Sequence, residues 1–76
     1  MNENNKTFQT ALKIFNGSRM KDKLNDSMSN ITLKKTQFNN YCFFIDDVCS
    51  GLFIDKLFVD EKELKELGWK VTGRME

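Results

Sequence analysis

Three aspartates in the second half of the chain are of the residue type that binds divalent cations. Asp46 and Asp47 are adjacent, and Asp55 follows in the next apolar run. A turn at residues 49–51 would bring all three near one hairpin end, where paired carboxylates can hold Mg²⁺. Lys56 follows Asp55 directly and could assist catalysis only from the same face of the sheet. Adjacent strand residues face opposite sides of a sheet, so Lys56 would point away from the carboxylates. We therefore expect no catalytic residue, no metal site and no enzyme.

The two cysteines are the other reactive side chains, and the chain has no histidine. Cys42 lies in an apolar run, where cysteine usually serves as a small core residue. Cys49 has no imidazole base to activate it. If both belong to one extended run, about 23 Å separates them, which is beyond disulfide range. Their spacing does not match a zinc site either, so we expect two free thiols and no cofactor.

The length of 76 residues allows one small domain with a thin stability margin, which self-association could increase. We expect residues 1–5 to be disordered and residues 6–76 to form a single α+β domain. No run is long and apolar enough to span a membrane, and the N-terminus lacks the features of a signal peptide. Together with two unpaired thiols, this predicts a cytoplasmic protein without a membrane partner.

The N-terminal region carries a helical stripe. Phe8, Ala11, Leu12 and Phe15 follow the spacing of one helix face, and Asn5 or Thr7 could cap the helix. Gly17 is a natural stop. Met20, Leu24 and Met28 then predict a second helix that starts at Ser18, and the alternative is one helix bent at Gly17.

Three strands are predicted in the middle of the chain, over 31–38, 41–48 and 52–59. Asn39-Asn40 would form the first tight turn, because asparagine tolerates positive φ. Cys49-Ser50-Gly51 would form the second turn, with Gly51 at the position that needs positive φ.

The C-terminal helix is marked at both ends. Asp60 and Glu63 match a capping box, with Val59 and Leu64 placed as a hydrophobic staple. Gly68 and Trp69 match a Schellman motif, and residues 69–71 could add an edge strand. The predicted fold is a three-stranded antiparallel β-meander with an N-terminal helix or helix pair and a short C-terminal helix, in the order α(α)-β-β-β-α.

Both faces of the predicted hairpin are apolar, because each parity of 41–48 and 52–59 carries large side chains. A two-layer protein would leave one face polar. We therefore expect a second copy of the chain, as in a homodimer, or another protein to cover part of one face. The predicted protein-interface residues are Phe38, Tyr41, Phe43, Phe53 and Trp69.

The leading hypothesis is a small non-enzymatic binding protein that occludes or bridges a macromolecular partner, as accessory or inhibitor proteins of phages and mobile elements do. The alternative is a nucleic-acid-binding regulator. Residues 1–36 carry seven basic and three acidic side chains, which gives +4, whereas residues 37–76 carry five and eight, which gives −3. The predicted nucleic-acid-binding residues are Arg19, Lys21, Lys23, Lys34 and Lys35.

Overall fold

The chain folds as one helical layer on a mixed sheet in a computed structural model that describes residues 4–26 and 28–73. The α-helices are α1 (Lys6–Ile14) and α2 (Glu61–Leu67), and short 3₁₀ turns cover Lys21–Asn25 and Lys56–Phe58. The strands are β1 (Ile31–Lys35), β2 (Asn40–Ile45), β3 (Val48–Asp55) and β4 (Lys70–Thr72). Among the described residues, no helix has the length and apolarity needed to cross a membrane.

The predicted α+β fold is confirmed, with one strand more than the meander. The sheet order is β3-β2-β1-β4. Strands β1, β2 and β3 form the expected antiparallel meander. The edge strand expected at residues 69–71 is β4, and it pairs in parallel with β1.

Helix α1 covers one face of the sheet, which we call the inner face. The predicted stripe is confirmed, since Phe8, Ala11 and Phe15 are buried and Leu12 packs against the same core. Phe15 meets Phe43 edge-on at a centroid distance of 4.9 Å. Trp69 contacts both Phe8 and Phe43, each at 6.1 Å, so one aromatic cluster joins α1, β2 and the residue before β4.

The β2–β3 turn lies at Asp46-Asp47, so the predicted turn at residues 49–51 was wrong. Ile45 pairs with Val48, and the two residues between them have φ of 52° and 66°. Two consecutive positive φ angles characterise the two-residue hairpin turn whose twist matches that of the strands. Aspartate tolerates this conformation better than most non-glycine residues. Asp46 is also fixed to the residue before β1, because its Oδ1 accepts from the Asn30 amide at 2.9 Å.

Gly51 forms a bulge inside β3 instead of a turn. Phe44 pairs with Cys49 but Cys42 pairs with Phe53, so the register shifts between these pairs. Gly51 has φ of 74°, a conformation that glycine adopts at little cost. The glycine that the sequence offered as a turn residue is thus used to bend an edge strand.

Two other predicted boundaries were wrong because side chains capture nearby backbone groups. Strand 31–38 ends at Lys35, since the Thr36 hydroxyl accepts from the Phe38 amide at 3.0 Å and stabilises a turn over residues 36–39. Strand 52–59 ends at Asp55, whose Oδ1 accepts from the Leu57 amide at 2.9 Å and starts a 3₁₀ turn.

The predicted second helix is reduced to the 3₁₀ turn Lys21–Asn25, and α1 ends before Gly17 rather than bending there. Leu24 alone of its apolar positions is buried, whereas Met28 is 85% exposed. The Asp26 side chain accepts from the Met28 amide at 2.9 Å, so it competes with helical hydrogen bonding at the end of the predicted helix.

The C-terminal end of α2 follows its predicted motif. Gly68 has φ of 76° and donates its amide to the Lys65 carbonyl, and Trp69 donates to the Leu64 carbonyl at 3.0 Å. These are the two hydrogen bonds of a Schellman motif. Trp69 and Leu64 belong to the same buried cluster, so the motif directs the chain into β4 with the indole in the core.

The N-terminal ends of the two helices share one carboxylate. Asp60 caps α2, because its side chain accepts from the Lys62 amide. The second hydrogen bond of the predicted capping box, from the Asp60 amide to the Glu63 carboxylate, is not formed, so this half of the prediction was wrong. Glu63 instead accepts from the Lys6 amide at 3.0 Å and from the Thr7 amide at 3.1 Å. The Thr7 hydroxyl also donates to Glu63 at 2.9 Å. These hydrogen bonds to its charged form lower the pKa of Glu63, the Lys6 amide most.

Asn5 completes this junction. It was included in the segment expected to be disordered, whose residues 1–3 lie outside the described part of the chain. Asn5 is buried as the N-cap of α1, with its Oδ1 accepting from the Phe8 amide at 2.9 Å. Its Nδ2 donates to the Glu63 carbonyl at 3.0 Å. The two helices are therefore joined across almost the whole length of the chain.

We predict that Gly51→Ala lowers the free energy of unfolding by about 1 kcal/mol, because alanine has to adopt a positive φ there. A Cβ at Gly51 would meet no atom within 4 Å, so the loss reports backbone conformation alone. Gly73→Ala is the matched control, since that site is equally open and lacks the positive φ. Urea unfolding measures both variants, and equal losses would contradict the bulge.

We predict that Glu63→Gln weakens the dependence of stability on pH in the acid range. The folded-state pKa of Glu63 lies below its ordinary value of 4.5. Its contribution is therefore present above about 4.5 and is lost as the pH falls through the lower folded-state value. Thermal unfolding from pH 7 to pH 3 should show a shallower decline for Glu63→Gln than for the wild type. Glu66→Gln, an exposed change on the same helix, should keep the wild-type slope.

Candidate functional site

The sheet face opposite α1, called here the outer face, is the broadest candidate surface. The strand register places its side chains in two rows, because Thr32 pairs with Phe44 and Lys34 with Cys42. Most of these side chains are half-buried or exposed. The outer face consists of Thr32, Lys34, Cys42, Phe44, Cys49, Phe53, Lys70 and Thr72.

Lys34 lies over the ring of Phe44, with Nζ 4.1 Å from the ring centroid. Such a cation–π contact at a partly exposed site is worth about 0.5–1 kcal/mol. The long Lys34 side chain thus shields one aromatic ring of the outer face from water. Phe53 is not shielded in this way and remains 45% exposed.

An open cleft of about 410 Å³ lies at one end of the outer face. Phe53 on β3 and Phe38 in the β1–β2 turn line it, and Phe38 is 73% exposed. Thr36 and Asn40 also line it, and the Thr36 hydroxyl donates to the Asn40 side-chain oxygen. These polar groups partly satisfy each other, so the cleft offers mainly aromatic surface. We call this site the aromatic cleft; its lining residues are Thr36, Gln37, Phe38, Asn40 and Phe53.

The cleft adjoins a free edge of the sheet. Strand β3 is terminal in the order β3-β2-β1-β4, so within residues 4–26 and 28–73 only one of its sides is paired. Beyond Asp55 the exposed side chains continue, with Leu57 at 87% and Phe58 at 56% exposure. An unpaired strand edge next to exposed apolar side chains is a surface that can accept another extended chain.

The five predicted protein-interface residues are divided between this surface and the core. Phe38 and Phe53 line the aromatic cleft. Phe43 and Trp69 are buried in the aromatic cluster under α1, and Tyr41 is half-buried on the inner face. Thr36, Gln37 and Asn40 were not predicted as cleft residues, because the turn predicted at Asn39-Asn40 lies later in the chain than the turn over residues 36–39.

The five predicted nucleic-acid-binding residues lie on different parts of the molecule. Lys23 forms an ion pair with Asp46 at 3.8 Å, beside the β2–β3 turn. Lys34 is engaged with Phe44 on the outer face. Lys35 lies at the opposite end of β1 from the β2–β3 turn. Arg19 and Lys21 are exposed on the turns that follow α1.

The three aspartates do not share one hairpin end, so that expectation was wrong. Asp46 and Asp47 form the turn at one end of β3, and Asp55 lies at the other end. Seven strand steps span about 23 Å. Within the described chain, no three His, Cys, Asp or Glu side chains come together as a metal site would require.

The two cysteines, expected to lie about 23 Å apart, are in contact on the outer face. Because the turn lies at residues 46–47, Cys42 and Cys49 belong to neighbouring strands, and their sulfur atoms are 3.6 Å apart. Both are free thiols; Cys42 is buried and Cys49 is exposed. Burial, followed by the interaction with Cys49, raises the pKa of the Cys42 thiol to about 11.

We predict that Phe43→Ala and Phe38→Ala differ sharply in stability. Phe43 is fully buried, so its loss should cost about 3–5 kcal/mol. Phe38 is largely exposed, and its loss should change stability by less than about 0.5 kcal/mol. Urea unfolding of the two variants beside the wild type measures this. A large loss for Phe38→Ala would show that Phe38 supports the fold rather than the surface.

The outer face, the aromatic cleft and the free edge of β3 form one continuous candidate site. Comparison of the chain with protein-family models, with curated proteins and with solved structures finds no match to any of them.

Proposed function

We propose that this chain is a small, non-enzymatic, cytoplasmic binding protein that occludes a segment of another protein. The observation that carries the proposal is the aromatic cleft, where Phe38 and Phe53 are brought together from separate elements and left exposed. Aromatic side chains are enriched in the parts of interfaces that dominate binding energy.

The proposed partner is an extended protein segment with an aromatic or large aliphatic side chain. The free edge of β3 offers main-chain hydrogen bonds to such a segment, and the adjoining cleft offers a site for one side chain. The bulge at Gly51 interrupts β3 between Cys49 and Phe53. Pairing is therefore favoured along the regular part of β3 that contains Phe53.

No catalytic role is included in the proposal, because the carboxylates serve the fold. Asp46 fixes the β2–β3 turn to Asn30, and Asp55 starts the 3₁₀ turn after β3. Asp60 and Glu63 cap the two helices. Each of these carboxylates thus accepts at least one hydrogen bond that holds the fold together.

We expect a displayed library of random linear peptides to yield binders that depend on the cleft. Selected peptides should carry an aromatic or large aliphatic residue within an extended run. Phe38→Ala and Phe53→Ala should each weaken binding about tenfold or more, as truncation of a central interface aromatic does. Met28→Ala is the matched control, because Met28 is also a large exposed apolar residue but does not line the cleft. Fluorescence anisotropy measures the affinities.

Two outcomes would contradict the proposal. Peptides that bind Phe38→Ala/Phe53→Ala as well as the wild type would place recognition elsewhere. Light scattering that shows a dimer from micromolar to millimolar concentration, lost in the double variant, would identify a second copy as the occupant of the cleft.

Nucleic-acid binding by the outer face is the second candidate. Lys34 and Lys70 lie on the same face as Phe44 and Phe53, and cations beside aromatic rings are the elements of a single-strand platform. Against it, Lys34 already covers Phe44. Binding of a labelled single-stranded oligonucleotide that weakens steeply with salt, and further in Lys34→Ala, would favour this candidate.

A further inference from the structure

We propose that Cys42 and Cys49 form a reversible disulfide on the outer face, made by thiol–disulfide exchange with a small disulfide such as oxidised glutathione. This modification site lies beside the aromatic cleft, since Cys42 pairs with Phe53, but neither cysteine lines the cleft. It does not depend on the proposed binding function.

The geometry that carries this inference is the placement of the two sulfur atoms. They lie 3.6 Å apart on the neighbouring strands β2 and β3. A disulfide requires about 2.05 Å, so the sulfurs have to approach each other by about 1.5 Å. The bulge at Gly51 separates the two strand registers between these cysteines, so the ladder is already interrupted on the β3 side of the pair.

The difference in exposure between the two cysteines indicates which one reacts first with the external disulfide. Cys49 is exposed, whereas Cys42 is covered by its neighbours on the outer face. An external disulfide can therefore reach Cys49 but not Cys42. The raised pKa of Cys42 reinforces this order, because it leaves little thiolate at that residue.

The exchange balances in two steps. The Cys49 thiolate attacks one sulfur of glutathione disulfide, which forms a mixed disulfide and releases one glutathione thiolate that takes up a proton. Cys42 then loses its proton and attacks the Cys49 sulfur, which releases the second glutathione. The two protein thiols together lose two electrons and two protons, and one glutathione disulfide is reduced to two glutathione thiols.

The disulfide would close a short loop around the Asp46-Asp47 turn. It would also attach the edge strand β3 covalently to β2 beside the bulge. Because both sulfurs already lie on one face of a paired hairpin, the link requires little rearrangement of the native fold. A link of this loop length should raise the thermal midpoint by on the order of 10 °C.

The test incubates the folded 76-residue chain with increasing ratios of oxidised to reduced glutathione, followed by acid quenching, alkylation and intact mass measurement. The wild type should lose two hydrogen atoms and become resistant to alkylation, and dithiothreitol should reverse the change. Cys42→Ala should gain one glutathione at Cys49. Cys49→Ser should keep one thiol that is alkylated only after unfolding, because Cys42 is buried.

Several outcomes would overturn the inference. These are a wild type that stays doubly reduced at every ratio, one that stops at a glutathione adduct, and one that forms disulfide-linked dimers. Near-UV circular dichroism checks that each variant is folded. If Cys42→Ala does not fold, Cys49→Ser decides the question, since its exposed position tolerates substitution; glutathionylation of Cys42 in that variant would contradict the proposed order.

Discussion

The two-residue turn at Asp46-Asp47 is the constraint on which the rest of the structure depends. With positive φ at both residues, it pairs Ile45 with Val48 and so sets the register of the hairpin. In a sheet, a shift of one residue moves every side chain to the opposite face. The turn thereby places Phe43 in the core and Cys49 opposite Phe44 on the outer face. Asp46 also connects the turn to the start of β1, because its side chain accepts from the Asn30 amide.

The two ends of the chain are held together by polar contacts that would be weak separately. Glu63 serves as a helix cap for α1 while it belongs to α2, and Asn5 donates back to the Glu63 carbonyl. Each helix is shorter than the length at which an isolated helix is stable in water. The shared cap and the cluster of Phe8, Phe43 and Trp69 therefore stabilise both helices together.

Sequence patterns predicted the elements whose signals are local. The stripe of α1, the Schellman end of α2 and the edge strand after Trp69 follow from residue types at fixed spacing. The β2–β3 turn did not follow, because Gly51 is a stronger turn signal than Asp46-Asp47, and only tertiary pairing decides between them. That single shift explains why the cysteine contact was missed and why the three aspartates were wrongly grouped. The position of the β1–β2 turn also explains why the cleft was not predicted. Strand β1 ends at Lys35, so Phe38 lies in the turn and not in the predicted strand 31–38.

The described residues form one helical layer on the sheet, so among them no helix covers the outer face. The chain reduces the exposed apolar area of that face by local means: Lys34 shields Phe44, and Cys42 is covered by its neighbours. Phe38 and Phe53 lack such cover. Both proposals therefore meet at β3. Because Cys42 pairs directly with Phe53, a disulfide to Cys49 would attach β2 to β3 immediately beside this cleft residue. Oxidation should then reduce the entropy lost when a segment pairs with the β3 edge.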